Sequence, residues 1–302
     1  MATPIKKDLP ARVAAPAAAV RKVSPAPGAV VRQLPMEESA PSVCLEDQTF
    51  LIYGAKKVGK TSLACQFPGA LLFAFEPASR TVRARRADCP RWADFLGYID
   101  QMEKKAHGAK TVVIDTGFEA YGRCLEHVCA REGIEHPHDR NDYGKTWKMV
   151  GDEFRKAHIR LSALGLGLVV LCHEKMKENE TRAGQKFDTL IPNLSGQADD
   201  YYRSVVDNLV HFHYRNQQRF LTLRGSDYIM AGVGSPEHWK TPKGEPVYAV
   251  PAGSSPAQAF QNLKSAFENK QPQSFKDETE KFVEEGIAAG VRRHLSKKKS
   301  NQ

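Results

Sequence analysis

Gly54-Ala55-Lys56-Lys57-Val58-Gly59-Lys60-Thr61 fits the pattern GxxxxGK[ST], and the β-prone run Phe50-Leu51-Ile52-Tyr53 stands directly before it. A strand that turns through a glycine-rich loop into a helix makes a phosphate cradle. Its glycines let backbone N–H groups converge on an anion, its lysine reaches the terminal phosphates, and its hydroxyl ligates Mg²⁺ at the start of the helix. The expected nucleotide contacts are therefore Gly54, Lys57, Val58, Gly59, Lys60, Thr61 and Ser62, with Leu63, Ala64 and Cys65 on the buried side of the helix. A nucleoside triphosphate is the ligand this pattern implies.

Further strands are read at Ala70 to Phe75, Thr111 to Asp115 and Leu166 to His173. Between them two helices each carry one apolar stripe: Phe118, Tyr121, Leu125 and Val128, then Trp147, Val150, Phe154, Ala157, Leu161 and Leu164. Strands and helices that alternate, with nearly continuous apolar strands, predict an α/β fold whose mostly parallel sheet is flanked by helices. Val206 to Tyr214 and Arg219 to Arg224, joined through Asn216-Gln217-Gln218, read as an antiparallel hairpin at the sheet's edge. Pro256 to Phe267 and Lys276 to His294 read as helices.

A phosphate loop needs a second carboxylate to hold Mg²⁺ and its waters, and Asp115, at the tip of the run Thr111-Val112-Val113-Ile114, supplies it beside Thr61. Hydrolysis also needs a group to orient or deprotonate water. Glu76, just after the second strand, is placed for that, and His173, at the end of the strand from Leu166, is placed to sense the γ-phosphate. The chain lacks the NKxD motif of GTPases. Leu194-Ser195-Gly196-Gln197 bears a weak likeness to a transporter ATPase signature but stands after Asp115 instead of before it. Arg80, Arg83, Arg85 and Arg86 imitate the arginine-rich lid of a small-molecule kinase, too early in the chain.

With 302 residues, 41% of them hydrophobic, the chain can bury a full core. Residues 1–45 form an Ala/Pro-rich arm that is expected to be disordered, with six Lys/Arg against Asp8, Glu37 and Glu38; residues 286–302 carry five Lys/Arg and no acid. Only +1 of the +9 net charge is left for the rest, so the basic excess lies in two tails suited to polyanions. The resulting division is an arm at 1–45, a core at 46–252 and a helical segment with a basic tail at 253–302. The longest apolar run, Ala163 to Cys172, is too short to span a bilayer, so a soluble, cytoplasmic protein is expected. The six cysteines have no paired CxxC spacing and read as reduced thiols; Cys124 and Cys129 point about 140° apart on a helix, against a zinc site.

The order of Glu76, Asp115 and a polar residue ending the next strand resembles the RecA-like P-loop core. More narrowly, Leu51-Ile52-Tyr53-Gly54 leading into Lys57 to Ala64, then Phe67-Pro68-Gly69-Ala70, Glu76-Pro77, Val113-Ile114-Asp115-Thr116, Tyr143-Gly144-Lys145 with Trp147, and Asp152-Glu153-Phe154 resemble phage nucleotide-binding proteins of the AAA_24 type. These include the RecA-like Sak group of single-strand annealing proteins. The resemblance covers about residues 48 to 250 and implies ATP and Mg²⁺ as ligands and a DNA-stimulated ATPase. It also implies single-stranded DNA as partner, a homo-oligomer as ring or filament, a single-strand binding protein as a further partner, and a role in phage DNA annealing or recombination. Two loops then acquire a meaning: Arg131 to Lys145, with Arg140 and Lys145, and Glu174 to Asp199, with Lys175, Lys177, Arg182 and Lys186, would line the DNA path, Tyr143 or Phe187 stacking on bases. Arg224 would complete the ATP site of an adjoining subunit. The competing expectations are an annealing module whose ATP pocket is structural or regulatory, and a small-molecule kinase.

Overall fold

The computed structural model describes residues 42–77, 81–182, 184, 186–235 and 237–270. Nearly all of the N-terminal arm, Arg80, and the helix and basic tail expected after residue 270 lie outside them. The elements run β1 Thr49–Gly54, α1 Lys60–Ala64, β2 Ala70–Ala74, β3 Arg85–Asp88, α2 Trp92–Lys104, β4 Thr111–Asp115, α3 Gly117–Glu132, α4 Lys145–Ser162, β5 Gly167–Glu180, β6 Lys186–Pro192, α5 Gly196–Val205, β7 Asn208–Arg215, β8 Gln218–Thr222, β9 Gly232–Val233, β10 Ala249–Pro251 and α6 Pro256–Phe267.

The strands lie in the order β10, β8, β7, β1, β5, β4, β2, β3, with β6 paired to β5 and β9 to β7. From β7 to β3 every neighbouring pair is parallel, whereas β8 and β10 are antiparallel. Insertion of β5 between the phosphate-loop strand β1 and the Asp115 strand β4 gives the RecA-like arrangement.

The two-residue period of a strand explains the apolar runs. Leu51 and Tyr53 of β1 join Ile114, Val170 and Phe154 in one core, while Phe50 and Ile52 join Leu63, Val113, Leu171, Phe260 and Phe267 in a second core on the opposite face. Each large side chain buried this way contributes about 1.5–3 kcal/mol, so neither face tolerates a polar residue mid-strand. Helix α6 belongs to the second core, where Phe260 meets Phe67 edge to face at 5.0 Å.

Several elements depart from the sequence reading. β3 and α2 were not expected. β3 is an edge strand whose Arg85 donates to the carbonyls of His107 and Gly108 and whose Arg86 pairs with Asp88, so these arginines do not form a kinase-like lid. α2 buries Trp92, Phe95, Ile99 and Met102, a legible three- and four-residue pattern. On α3 the buried face is Ala120, Tyr121, Cys124, Val128 and Cys129, while Phe118 is exposed. The β7–β8 turn is Asn216-Gln217, both in the left-handed region, and β10 lies outside the hairpin as the true edge.

The largest correction concerns β5. The strand expected to stop at His173 continues to Glu180, and residues 174–180 pair antiparallel with 186–192. The segment read as a loop from Glu174 to Asp199 is a β-arm followed by α5. Its sequence, Glu174-Lys175-Met176-Lys177-Glu178-Asn179-Glu180, lacks an apolar run because the arm leaves the core; it is held instead by the backbone ladder and by polar pairs such as Lys186–Glu178 and Asn179–Thr189.

His158 of α4 gives the core a pH dependence. It is fully enclosed, its Nδ1–H donating to the Phe154 carbonyl and its Nε2 accepting from the Tyr202 hydroxyl, both at 2.8 Å, among Trp92, Phe95 and Tyr201. Burial pushes its pKa down to about 4 from 6.5. The unfolded chain therefore takes up a proton that the folded chain refuses, and stability falls as pH drops from about 6.5 to about 4, by roughly 3 kcal/mol from this residue. Denaturant unfolding of His158→Gln across that window should give a flatter pH dependence than the wild type; an unchanged slope would contradict this.

Candidate nucleotide-binding site

Gly54 ends β1 opposite His173 of β5 in parallel register. A Cβ on Gly54 would fall 1.9 Å from the Phe212 carbonyl of β7, so only glycine lets the chain leave the sheet there. The loop then passes Lys57 at φ 65° and Gly59 at φ 110° before α1, which has only five residues. With so short a helix, anion attraction comes mainly from the loop's convergent N–H groups.

The Lys60 ammonium is buried and donates to the carbonyls of Gly54 at 2.9 Å and Ala55 at 2.8 Å, with His173 Nδ1 at 3.5 Å. Burial pushes the Lys60 pKa down. The Thr61 hydroxyl donates to Asp115 Oδ2 at 2.9 Å, and burial pushes the Asp115 carboxyl up. These opposed shifts share one cause: buried charges short of counter-charge. A phosphate beside Lys60 and Mg²⁺ beside Asp115 would supply it, and a hydroxyl next to a carboxylate is the hard-oxygen donor set that Mg²⁺ takes while keeping most of its waters.

Glu76 faces the same space. Its carboxylate accepts from the Thr116 hydroxyl at 3.0 Å and lies 3.6 Å from His173 Nε2, an ion-pair distance. His173 first, then Thr116, hold its pKa below the usual carboxylate value, against the pull of burial. Because β5 runs between β1 and β4, the His173 ring stands between Lys60 and Glu76. The structure thus gathers Lys60, Thr61, Asp115, Glu76 and His173 at one end of the parallel sheet.

Two neighbours escaped the sequence reading. Thr116 had a usable signal, since a threonine after a strand-end aspartate and before a helix is a cap; it accepts from the Glu119 N–H of α3 at 3.4 Å. Arg219 had none. Its Nη1 lies 3.2 Å from where a Cβ on Gly59 would be, a proximity created by the β7–β8 register.

The other expected residues lie apart from this cluster. Arg224 follows β8, five residues and about 16 Å along the strand direction from Arg219 and toward the start of β7, so any role at an ATP site would be in a neighbouring subunit. Arg140 pairs with Glu132, and Lys145 starts α4, at the end of α3 opposite Asp115. On the arm, Lys175 donates to the Leu194 carbonyl at 2.8 Å and Lys186 pairs with Glu178, whereas Lys177 and Arg182 are exposed. Phe187 and Lys177 border an open groove of about 550 Å³ between the arm and residues 225–231, and Tyr143 is fully exposed. Among the described residues no three or more His, Cys, Asp or Glu side chains are placed to hold a metal ion by themselves, and no helix is long and apolar enough to cross a membrane.

No curated protein matches the chain in sequence. Among solved structures it is similar to a KaiC-like protein from the hyperthermophilic archaeon Pyrococcus horikoshii OT3, with 14% identity and a TM-score of 0.39 over 70% of this chain and 88% of that one. The AAA_24 family model, described as an AAA domain, matches residues 46–233, a span that holds the phosphate loop, Glu76, Asp115, His173 and the whole β5–β6 arm. On that match the chain belongs to the AAA_24 family of P-loop ATPases.

Proposed function

We propose that this protein is a DNA-dependent ATPase that binds single-stranded DNA and promotes annealing or recombination of phage DNA as a homo-oligomer. One observation carries the reading: β5 is a continuous strand that touches the nucleotide site at His173, pairs with β6 from the next residue on, and is exposed from Met176. Glu174 accepts from His211 Nε2 at 2.8 Å, and Tyr53 donates its hydroxyl to the carbonyls of Leu190 and Met230, so the base of the arm is tied to β1 and β7. A shift of His173 toward a γ-phosphate would be felt first at this tied base, from which the same strand runs on to Lys177.

In the site itself, Lys60 leaves its two carbonyl acceptors for phosphate oxygens, and Glu76 accepts a proton from, or orients, the attacking water. Mg²⁺, when bound by Thr61 and Asp115, neutralises charge on the phosphates. His173 links the two halves by touching both Lys60 and Glu76.

The arm is tested by fluorescence anisotropy with a labelled single-stranded oligonucleotide at fixed salt, with and without a non-hydrolysable ATP analogue. The wild type should bind with a nucleotide-dependent affinity, and Lys177→Glu combined with Arg182→Glu should weaken binding by about tenfold or more, since two phosphate contacts become repulsions. Wild-type affinity in the double variant would remove the arm as the DNA surface. Affinity that is indifferent to nucleotide would favour an annealing module with a structural ATP pocket.

A further inference from the structure

The Asn216-Gln217 turn carries the start of β8 beyond the end of β1: Tyr53 is level with His211, whereas Arg219 is level with Tyr214, three residues further on. This lifts the Arg219 guanidinium to the height of the phosphate loop. Its Nη1 and the Phe212 ring approach the same side of Gly59, at 3.2 and 3.7 Å from the position of an added Cβ. Its Nη2 donates to the Gly253 carbonyl at 3.0 Å. Among the described residues no carboxylate pairs with Arg219.

That environment is unusual for a half-buried arginine. A guanidinium offers five donors in a rigid fork, so one arm can be anchored while the other serves a second acceptor. The anchor here is a neutral main-chain carbonyl, which leaves the positive charge uncompensated. Gly253 stands in the left-handed region at φ 66°, and the next residue is held to α6 through the Ser254 N–H, which donates to Gln258 Oε1 at 3.0 Å. The anchored arginine is thus held beside a loop whose N–H groups converge on an anion.

We propose that Arg219 is a substrate-contact residue that donates from Nη1 to the phosphate oxygens of the nucleotide bound by Gly54 to Thr61, a second cation supplied by the same chain in addition to Lys60. The assignment rests on the nucleotide-binding reading above.

The test is titration calorimetry of the wild type, Arg219→Ala and Arg219→Lys with Mg·ATP and with inorganic tripolyphosphate, together with nucleotide-free melting temperatures. Arg219→Ala should bind both ligands about tenfold or more weakly, because a charge-assisted hydrogen bond is lost, while its nucleotide-free melting temperature moves by less than about 3 °C. Arg219→Lys, which keeps the charge and loses the fork, should fall between, and it keeps the test open if the alanine variant fails to fold. Unchanged ATP affinity in either variant would make Arg219 a mere buttress of the loop and overturn the proposal. Weaker ATP binding with unchanged tripolyphosphate binding would move the contact to the ribose or base, and would overturn it too. A wild type that binds neither ligand would instead overturn the nucleotide-binding reading on which it rests.

Discussion

Lys60→Ala should abolish nucleotide-dependent activity, lowering ATP hydrolysis by about 10²- to 10³-fold or more, the loss typical when a donor to developing negative charge is removed. The reason lies in how Lys60 is stored. Its ammonium is buried, its pKa is pushed down by desolvation, and it is held by the Gly54 and Ala55 carbonyls next to His173. Phosphate oxygens offer that ammonium a far better partner than two neutral carbonyls, so the gain on binding nucleotide is large. Without nucleotide the same ammonium is a burden on folding, and the variant should melt within a few degrees of the wild type. A variant that melts normally yet hydrolyses ATP at the wild-type rate would show that the phosphate loop does not carry the activity.

Glu76→Gln should separate binding from chemistry. Glutamine is isosteric, and its amide oxygen can still accept from the Thr116 hydroxyl, so ATP affinity should stay close to wild type. Glutamine cannot accept a proton from water, and kcat should fall by about 10²- to 10⁴-fold. The pH dependence follows from the direction of the shift. His173 and Thr116 hold the Glu76 pKa below its ordinary value, so the carboxylate stays ionised through neutral and mildly acidic pH and fails as a base only when pH falls below the ordinary carboxylate range. Saturating-ATP rates of the wild type should show no loss from Glu76 between about pH 5 and 7. Unchanged turnover in Glu76→Gln would remove Glu76 from the mechanism.

The positions of these residues were largely legible because strands buried on both faces advertise themselves. Phe50 to Tyr53, Ala70 to Ala74 and Thr111 to Asp115 needed only their apolar runs, and the residues at their tips followed from the direction of a parallel sheet. What stayed hidden depends on pairing between distant segments. β3 is four residues with two arginines, a composition that suits an exposed edge and gives no apolar signal. The β5–β6 arm is held by a ladder between 174–180 and 186–192, and nothing in Glu174-Lys175-Met176-Lys177 distinguishes such a strand from a charged loop. Arg219 reaches Gly59 only through the register of β7 on β1 and of β8 on β7, which places an arginine 160 residues later in the chain beside the phosphate loop. Arg224 lies beyond the end of β8, five residues after Arg219 and away from the phosphate loop.

The most direct measurement is steady-state ATP hydrolysis by the purified protein with and without single-stranded DNA, run in parallel on the wild type, Lys60→Ala and Glu76→Gln. Hydrolysis by the wild type that rises with DNA, and that is lost in both variants, is the result this account predicts. Equal wild-type rates with and without DNA would sever the nucleotide site from the β5–β6 arm and contradict it.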